Sequence, residues 1–228
     1  MMKDLYEKAL PYVCLVTMTL ALYGAFLYAP TERTMGDVQR IFYFHISAWW
    51  VSGIAYTVTF VASLLFLWSR SRKADRVAVA SAEIGVLFTT VGLVTGPIWA
   101  KPVWGVYWTW DARLSTALVL WLMFVGYLML RRYVPEEGKR GTLSAVAAII
   151  AWVDVPIVYL TIHLFRTQHP QPVIGGGEDA GLHPLMTHAF LMALTAFFFF
   201  YLWLVHQRLS ILTLEDEVDG LHKELEPA

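Results

Sequence analysis

Trp104, Trp108 and Trp110 lie within seven residues of one another and are followed at once by Asp111, Arg113 and Leu114. Flat indole faces suit a flat, apolar, aromatic ligand. The carboxylate behind them can cap a helix beginning near Ala112 or accept an indole N–H. His45 stands at the entry to an apolar run that also contains Trp49 and Trp50, and His169 sits in Arg-Thr-Gln-His-Pro-Gln-Pro just after another apolar run. Two neutral imidazoles approaching a macrocycle from opposite sides are one way to hold haem iron. The plainer readings are an interfacial aromatic belt for the tryptophans and solvated loop positions for the histidines. Against a belt, Gly105 interrupts the segment, Pro97 and Pro102 precede it, and six of the ten tryptophans (Trp49, Trp50, Trp99, Trp104, Trp108, Trp110) crowd one side of the predicted topology.

The composition says what must position these groups. Of 228 residues, 57% are hydrophobic and only 15% charged, and mean hydropathy is +0.54. Such an apolar excess cannot be packed inside one water-facing domain of this length. A net charge of −1 offers no basic excess for nucleic acid. The single cysteine, Cys14, excludes an internal disulfide, a Cys-x-x-Cys redox pair and a Cys-x-x-Cys-His haem attachment site. No Gly-x-x-x-x-Gly-Lys-Ser/Thr motif occurs, so ATP hydrolysis would belong to a partner.

A membrane helix needs about 20 mainly apolar residues. Uncharged runs cover 9 to 31, 41 to 69, 84 to 100, 114 to 130 and 180 to 207, while 141 to 165 is broken only by Asp154. This predicts an all-α integral membrane protein with six transmembrane helices in a domain over 1 to 207. The first run is too long for a cleavable signal and no small-residue cleavage site follows it, so it reads as a retained helix. Twelve Lys and Arg fall on the side of the termini and of the 70 to 76 and 131 to 140 loops, against Arg33, Arg40, Lys101, Arg113 and Arg166 on the other. By the excess of positive charge on the inside, both termini are expected to be cytoplasmic. The outer face then receives the His45 entry, the tryptophan segment and His169 together, which makes a haem site on that face the expectation. From 208 to 228, Leu214, Val218, Leu221 and Leu225 recur at helical spacing beside acidic residues, predicting an amphipathic acidic cytoplasmic tail.

The pattern Trp104-Gly105-x-x-Trp108-x-Trp110-Asp111-x-Arg113-Leu114 resembles the tryptophan-rich WWD signature of the haem-handling protein family. Six spans, the Arg40-Ile-Phe-Tyr-Phe-His45 entry and the Thr167-Gln-His169-Pro-Gln stretch make the chain similar to the cytochrome c maturation protein C (CcmC) family up to about residue 207. The resemblance implies that His45 and His169 are axial ligands of a non-covalent haem b and that Trp104, Trp108, Trp110 and Asp111 form its platform. It also implies a multi-pass protein of the bacterial cytoplasmic (inner) membrane that is not an enzyme. The partners it implies are the periplasmic haem chaperone CcmE, the ABC transporter subunits CcmA and CcmB, and the small membrane subunit CcmD.

Haem propionates would need cations, and Arg40 and Arg113 flank the histidine entry and the tryptophan segment. Other residues compete for roles. His163 and His188 sit at similar predicted depth and would suit a second, intramembrane haem, as in a membrane b-type oxidoreductase. A haem permease would need a polar path, for which the spans offer Asp154 and scattered Ser and Thr. His183, before Pro184, reads as a helix-entry residue, and His206 as a residue at the cytoplasmic end of span six. Asp154, followed by Pro156, is an expensive carboxylate within a span and so a functional candidate, the plainer reading being a buried hydrogen bond that steadies a kinked helix.

Overall fold

The computed structural model describes residues 2–165, 167, 169 and 181–225. Seven α-helices follow in order among them: α1 (Met2–Tyr23), α2 (Ile41–Ser69), α3 (Arg72–Trp104), α4 (Ala112–Tyr133), α5 (Glu137–Trp152), α6 (Asp154–Leu164) and α7 (Pro184–Leu225). A π-helical turn, Gly24–Tyr28, extends α1, and a 3-10 turn, Asp37–Arg40, leads into α2. No strand occurs among the described residues. Six stretches are long and apolar enough to cross a membrane, α5 and α6 together forming one of them. The protein is therefore a multi-pass membrane protein.

Two helices run further than their uncharged cores. The apolar run at 84 to 100 becomes 33 residues in α3, because the charges that should end it are paired. Asp75 takes both terminal nitrogens of Arg131 at 2.7 Å, and Glu83 takes Arg208. Likewise, α7 continues past residue 207 without a break for 42 residues in all. Arg208 also reaches Glu215, while Arg76 reaches Asp216 and Thr213. His206 consequently lies inside a helix rather than at its end. Opposite charges on neighbouring helices satisfy each other where a lone charge would cost several kcal/mol.

The span expected over 141 to 165 is broken at Val153. Pro156 has no N–H to give to the Trp152 carbonyl, so the helical ladder stops and restarts at Asp154. Asp154 is buried, and its Oδ2 has no hydrogen-bond partner among the described residues.

Small residues decide which helices meet. Ala21 and Ala25 on α1 and its π turn pack with Ala189, Ala193 and Ala196 of α7, allowing close backbone approach where lipid tails provide no hydrophobic drive. In the α2–α3 pair, glycines face rings in antiparallel register: Gly85 under Tyr56, Gly92 under Trp49 and Gly96 beside His45. A methyl group on Gly85 or Gly92 would lie 2.6 Å from the facing ring, and on Gly96 it would lie 3.3 Å from His45 Cε1. This seam places His45 and Trp49 at the end of the bundle that carries the tryptophan segment.

Candidate haem cleft

His45 lies in the first turns of α2 and is 3% exposed. Its Nδ1 is 2.9 Å from Thr95 Oγ1 on α3. Trp99 and Trp49 stand edge-on to its ring, at centroid distances of 5.8 and 6.4 Å. Burial among rings and the contact with Thr95 hold this imidazole in place.

The tryptophan segment divides at Gly105. Trp104 is the last residue of α3 rather than a loop residue, and Pro97 and Pro102 lie inside that helix. Gly105 ends it with φ +77°, a left-handed conformation that favours glycine, and its N–H reaches Lys101 O at 3.0 Å. Asp111 is the N-cap of α4: Oδ1 accepts from the Leu114 N–H at 2.9 Å, and Oδ2 accepts from the Thr109 hydroxyl at 3.2 Å. The expected cap is present. The carboxylate thus closes the segment between two helix ends, and Trp108 and Trp110 meet edge to face at 5.8 Å within it.

These parts line one shared cleft, whose open space of about 40 Å³ is narrow beside the usual range for small-molecule sites. His45, Trp49, Trp104, Trp108, Arg113 and His169 all line it, with Gly92, Gly96, Tyr107 and Thr109. His169 therefore reaches the same space as His45 despite lying 124 positions later in the chain. Its ring packs on Trp104 at 5.9 Å, and its Nδ1 is buried without a partner among the described residues. Burial pushes the His169 pKa down to about 4, helped by the Arg113 guanidinium and opposed by Asp111. The ring is neutral at pH 7, as an iron ligand must be. Trp108 Nε1 is another buried polar atom with no partner among the described residues, and Arg113, which donates to Val158 O at 3.3 Å, is a cation in the wall. Two neutral imidazoles, broad indole faces and a cation fit a flat aromatic metal macrocycle with an anionic edge.

Not every expected residue reaches the cleft. Trp110 is 77% exposed and lies on a shallow outer surface with Trp108, Pro97 and Leu118. Asp111 supports the wall rather than lining it. Arg40 points elsewhere: it donates to the Ala25 and Ala29 carbonyls and to Thr31, and pairs with Asp37 at 3.1 Å. The unpaired carbonyls at the end of the first span attract it more directly than a cleft on the other side of α2. Arg166 and residues 170–180 lie outside the described residues.

The competing histidines are not brought together. His163 is exposed beside Tyr159 on α6, which packs on α4 and α5. His188 bonds Tyr28 at 3.1 Å on α7, which packs on α1, α2 and α3. His183 Nδ1 accepts from the Leu185 N–H at 3.3 Å, as a helix-entry residue should. Sequence reasoning missed Thr95, Gly92 and Gly96. The signal was available: rings at 45, 49 and 56 and glycines at 85, 92 and 96 carry the same spacings in reverse order.

The sequence profile of the family described as heme exporter protein C matches residues 1–223. Heme exporter protein C of Bradyrhizobium diazoefficiens is 33% identical over 198 residues, covering 83% of this chain and 75% of the relative. The protein of that name from Haemophilus influenzae is 28% identical over 207 residues, covering 90% and 84%. A putative cytochrome c biosynthesis ccmC-like mitochondrial protein of Marchantia polymorpha is 29% identical over 194 residues, covering 85% and 82%. With a profile match across nearly its whole length and a cleft that suits haem, the chain belongs to the heme exporter protein C family.

Proposed function

We propose that this protein holds haem b non-covalently on the outer face of the bacterial cytoplasmic membrane, between His45 and His169, and delivers it to the periplasmic chaperone CcmE. Family membership supports haem handling in cytochrome c maturation. The observation that carries the finer reading is the single cleft in which both imidazoles meet Trp104, Trp108 and Arg113.

Haem would supply an iron that His45 and His169 would hold through imidazole nitrogen. The chain's own residues do the rest. His45 ligates from the helical wall, and His169 ligates from the connection between α6 and α7. Trp104 and Trp108 stack along the macrocycle and keep water from its faces. Arg113 pairs with a propionate, its guanidinium being the cation in the wall. Trp110, outside the cleft, presents an indole to whatever docks over the opening. ATP hydrolysis falls to the partner subunits CcmA and CcmB, with CcmD completing the assembly.

The test is an optical spectrum of purified wild-type protein beside four alanine variants. His45→Ala and His169→Ala are expected to lose the low-spin bis-imidazole signal. His163→Ala and His188→Ala are expected to keep it. The reverse pattern would move the haem to the intramembrane pair and sink the assignment.

A further inference from the structure

We propose that Thr95 is a positioning residue for His45, its hydroxyl fixing the imidazole in the Nδ1–H tautomer so that Nε2 is the nitrogen offered to the cleft. The inference rests on the reading of His45 as a ligand.

The direction of the bond follows from counting protons. A threonine hydroxyl has one proton to give. Thr95 Oγ1 lies 2.7 Å from Val91 O, one turn back on α3, and 3.3 Å from Gly92 O. Within an apolar helix pair that carbonyl contact takes the proton. The oxygen can then only accept from His45 Nδ1, 2.9 Å away. This network assigns the Nδ1–H tautomer.

The same arrangement recurs where chemistry leaves no choice. Trp121 Nε1, which can only donate, reaches Thr90 Oγ1 at 2.9 Å, and Thr90 Oγ1 donates to Val86 O at 2.7 Å. Trp152 Nε1 reaches Thr57 Oγ1 at 3.1 Å, and Thr57 Oγ1 donates to Gly53 O at 2.8 Å. Thr95 is a third threonine whose proton goes to its own helix and whose lone pair faces a ring N–H on the next helix.

The neighbours make the alternative costly. A half-turn of the imidazole would put a carbon against Thr95 and break the ring's hydrogen bond to that hydroxyl. Gly96 leaves room for the ring edge, and Trp49 and Trp99 flank it. A metal-ligating histidine usually gives its second N–H to a carboxylate, a backbone carbonyl or water. Here the acceptor is a neutral hydroxyl, which orients the ring without drawing it strongly toward imidazolate.

The first measurement uses the haem-free full-length protein with ¹⁵N-labelled histidine, the His45 signals being those absent from His45→Ala. Nitrogen chemical shifts of a neutral Nδ1–H imidazole are expected, and Nε2–H shifts would overturn the proposal whatever the variants do. The second compares Thr95→Val and Thr95→Ser, each checked for a monodisperse, helical product and titrated with hemin. Thr95→Val is expected to bind hemin roughly tenfold or more weakly and to raise the midpoint potential of the bound haem, because its ligand becomes less basic. Thr95→Ser, which keeps the hydroxyl, is expected to stay close to wild type. A folded Thr95→Val with wild-type affinity and potential, while His45→Ala loses the low-spin signal, would discard Thr95 and leave His45 as ligand. An unchanged spectrum in His45→Ala would instead discard the ligand assignment itself.

Discussion

The two histidines of the cleft are held by different means. His45 sits in a helix, buried, with a hydroxyl on Nδ1, a glycine at its edge and two indoles beside it. His169 lies in the connection between α6 and α7, packs on Trp104 and has no partner for its buried Nδ1 among the described residues. Side chains on packed helices are held more precisely than side chains on loops. Under the proposed function, holding would fall to the His45 wall and release to the His169 wall.

The largest effect tests that division directly. His45→Ala is expected to abolish stable haem retention, whereas His169→Ala leaves part of the haem bound through His45 alone, as read by haem content after gel filtration. Equal losses would erase the distinction between the walls. Next comes the seam behind His45. Gly92→Ala would bring a methyl group within 2.6 Å of Trp49 Nε1, so overpacking is expected to cost about 1–3 kcal/mol and lower the thermal midpoint in detergent. A midpoint equal to wild type would show that Trp49 is free to move and that this wall is not rigid.

Smaller effects belong to the tryptophan segment. Asp111→Ala removes the α4 cap and is expected to cost roughly 0.5–2 kcal/mol, with Asp111→Asn recovering most of it, since both side chains cap well. If Asp111→Asn fell as far as Asp111→Ala, the carboxylate charge rather than the cap would be what matters. A pH titration probes His169. Its folded pKa is about 4, below the ordinary 6.5. The unfolded chain therefore takes up the proton first as pH falls, and stability is unaffected above about 6.5 and declines from there toward 4. Haem affinity follows the folded value and is expected to stay level down to about pH 5 before dropping. A decline centred near 6.5 would place His169 in water. Smallest of all on binding is Trp110→Ala, because that indole lies outside the cleft. Its expected signature is normal haem content beside reduced covalent haem on CcmE in the same membranes, and normal loading would return Trp110 to the role of an interfacial anchor.

Much of the molecule is legible in the chain alone. Six apolar runs, Pro156 within the fifth, Gly105 after Trp104 and Asp111 before α4 act through hydropathy, a missing N–H, a left-handed cap and a side-chain cap. Each needs only near neighbours in sequence, and each appears at its place in the structure. What could not be read is what depends on partners far along the chain. The full length of α3 rests on Asp75 meeting Arg131 and Glu83 meeting Arg208, and Arg40 turns to the end of the first span because those carbonyls happen to be near. The meeting of His45, Thr95 and His169 is of the same kind. Residue type determined that these side chains could ligate or accept a proton, but only the packing of α2 on α3 through small residues, and the return of the chain after α6, decided that they share one cleft.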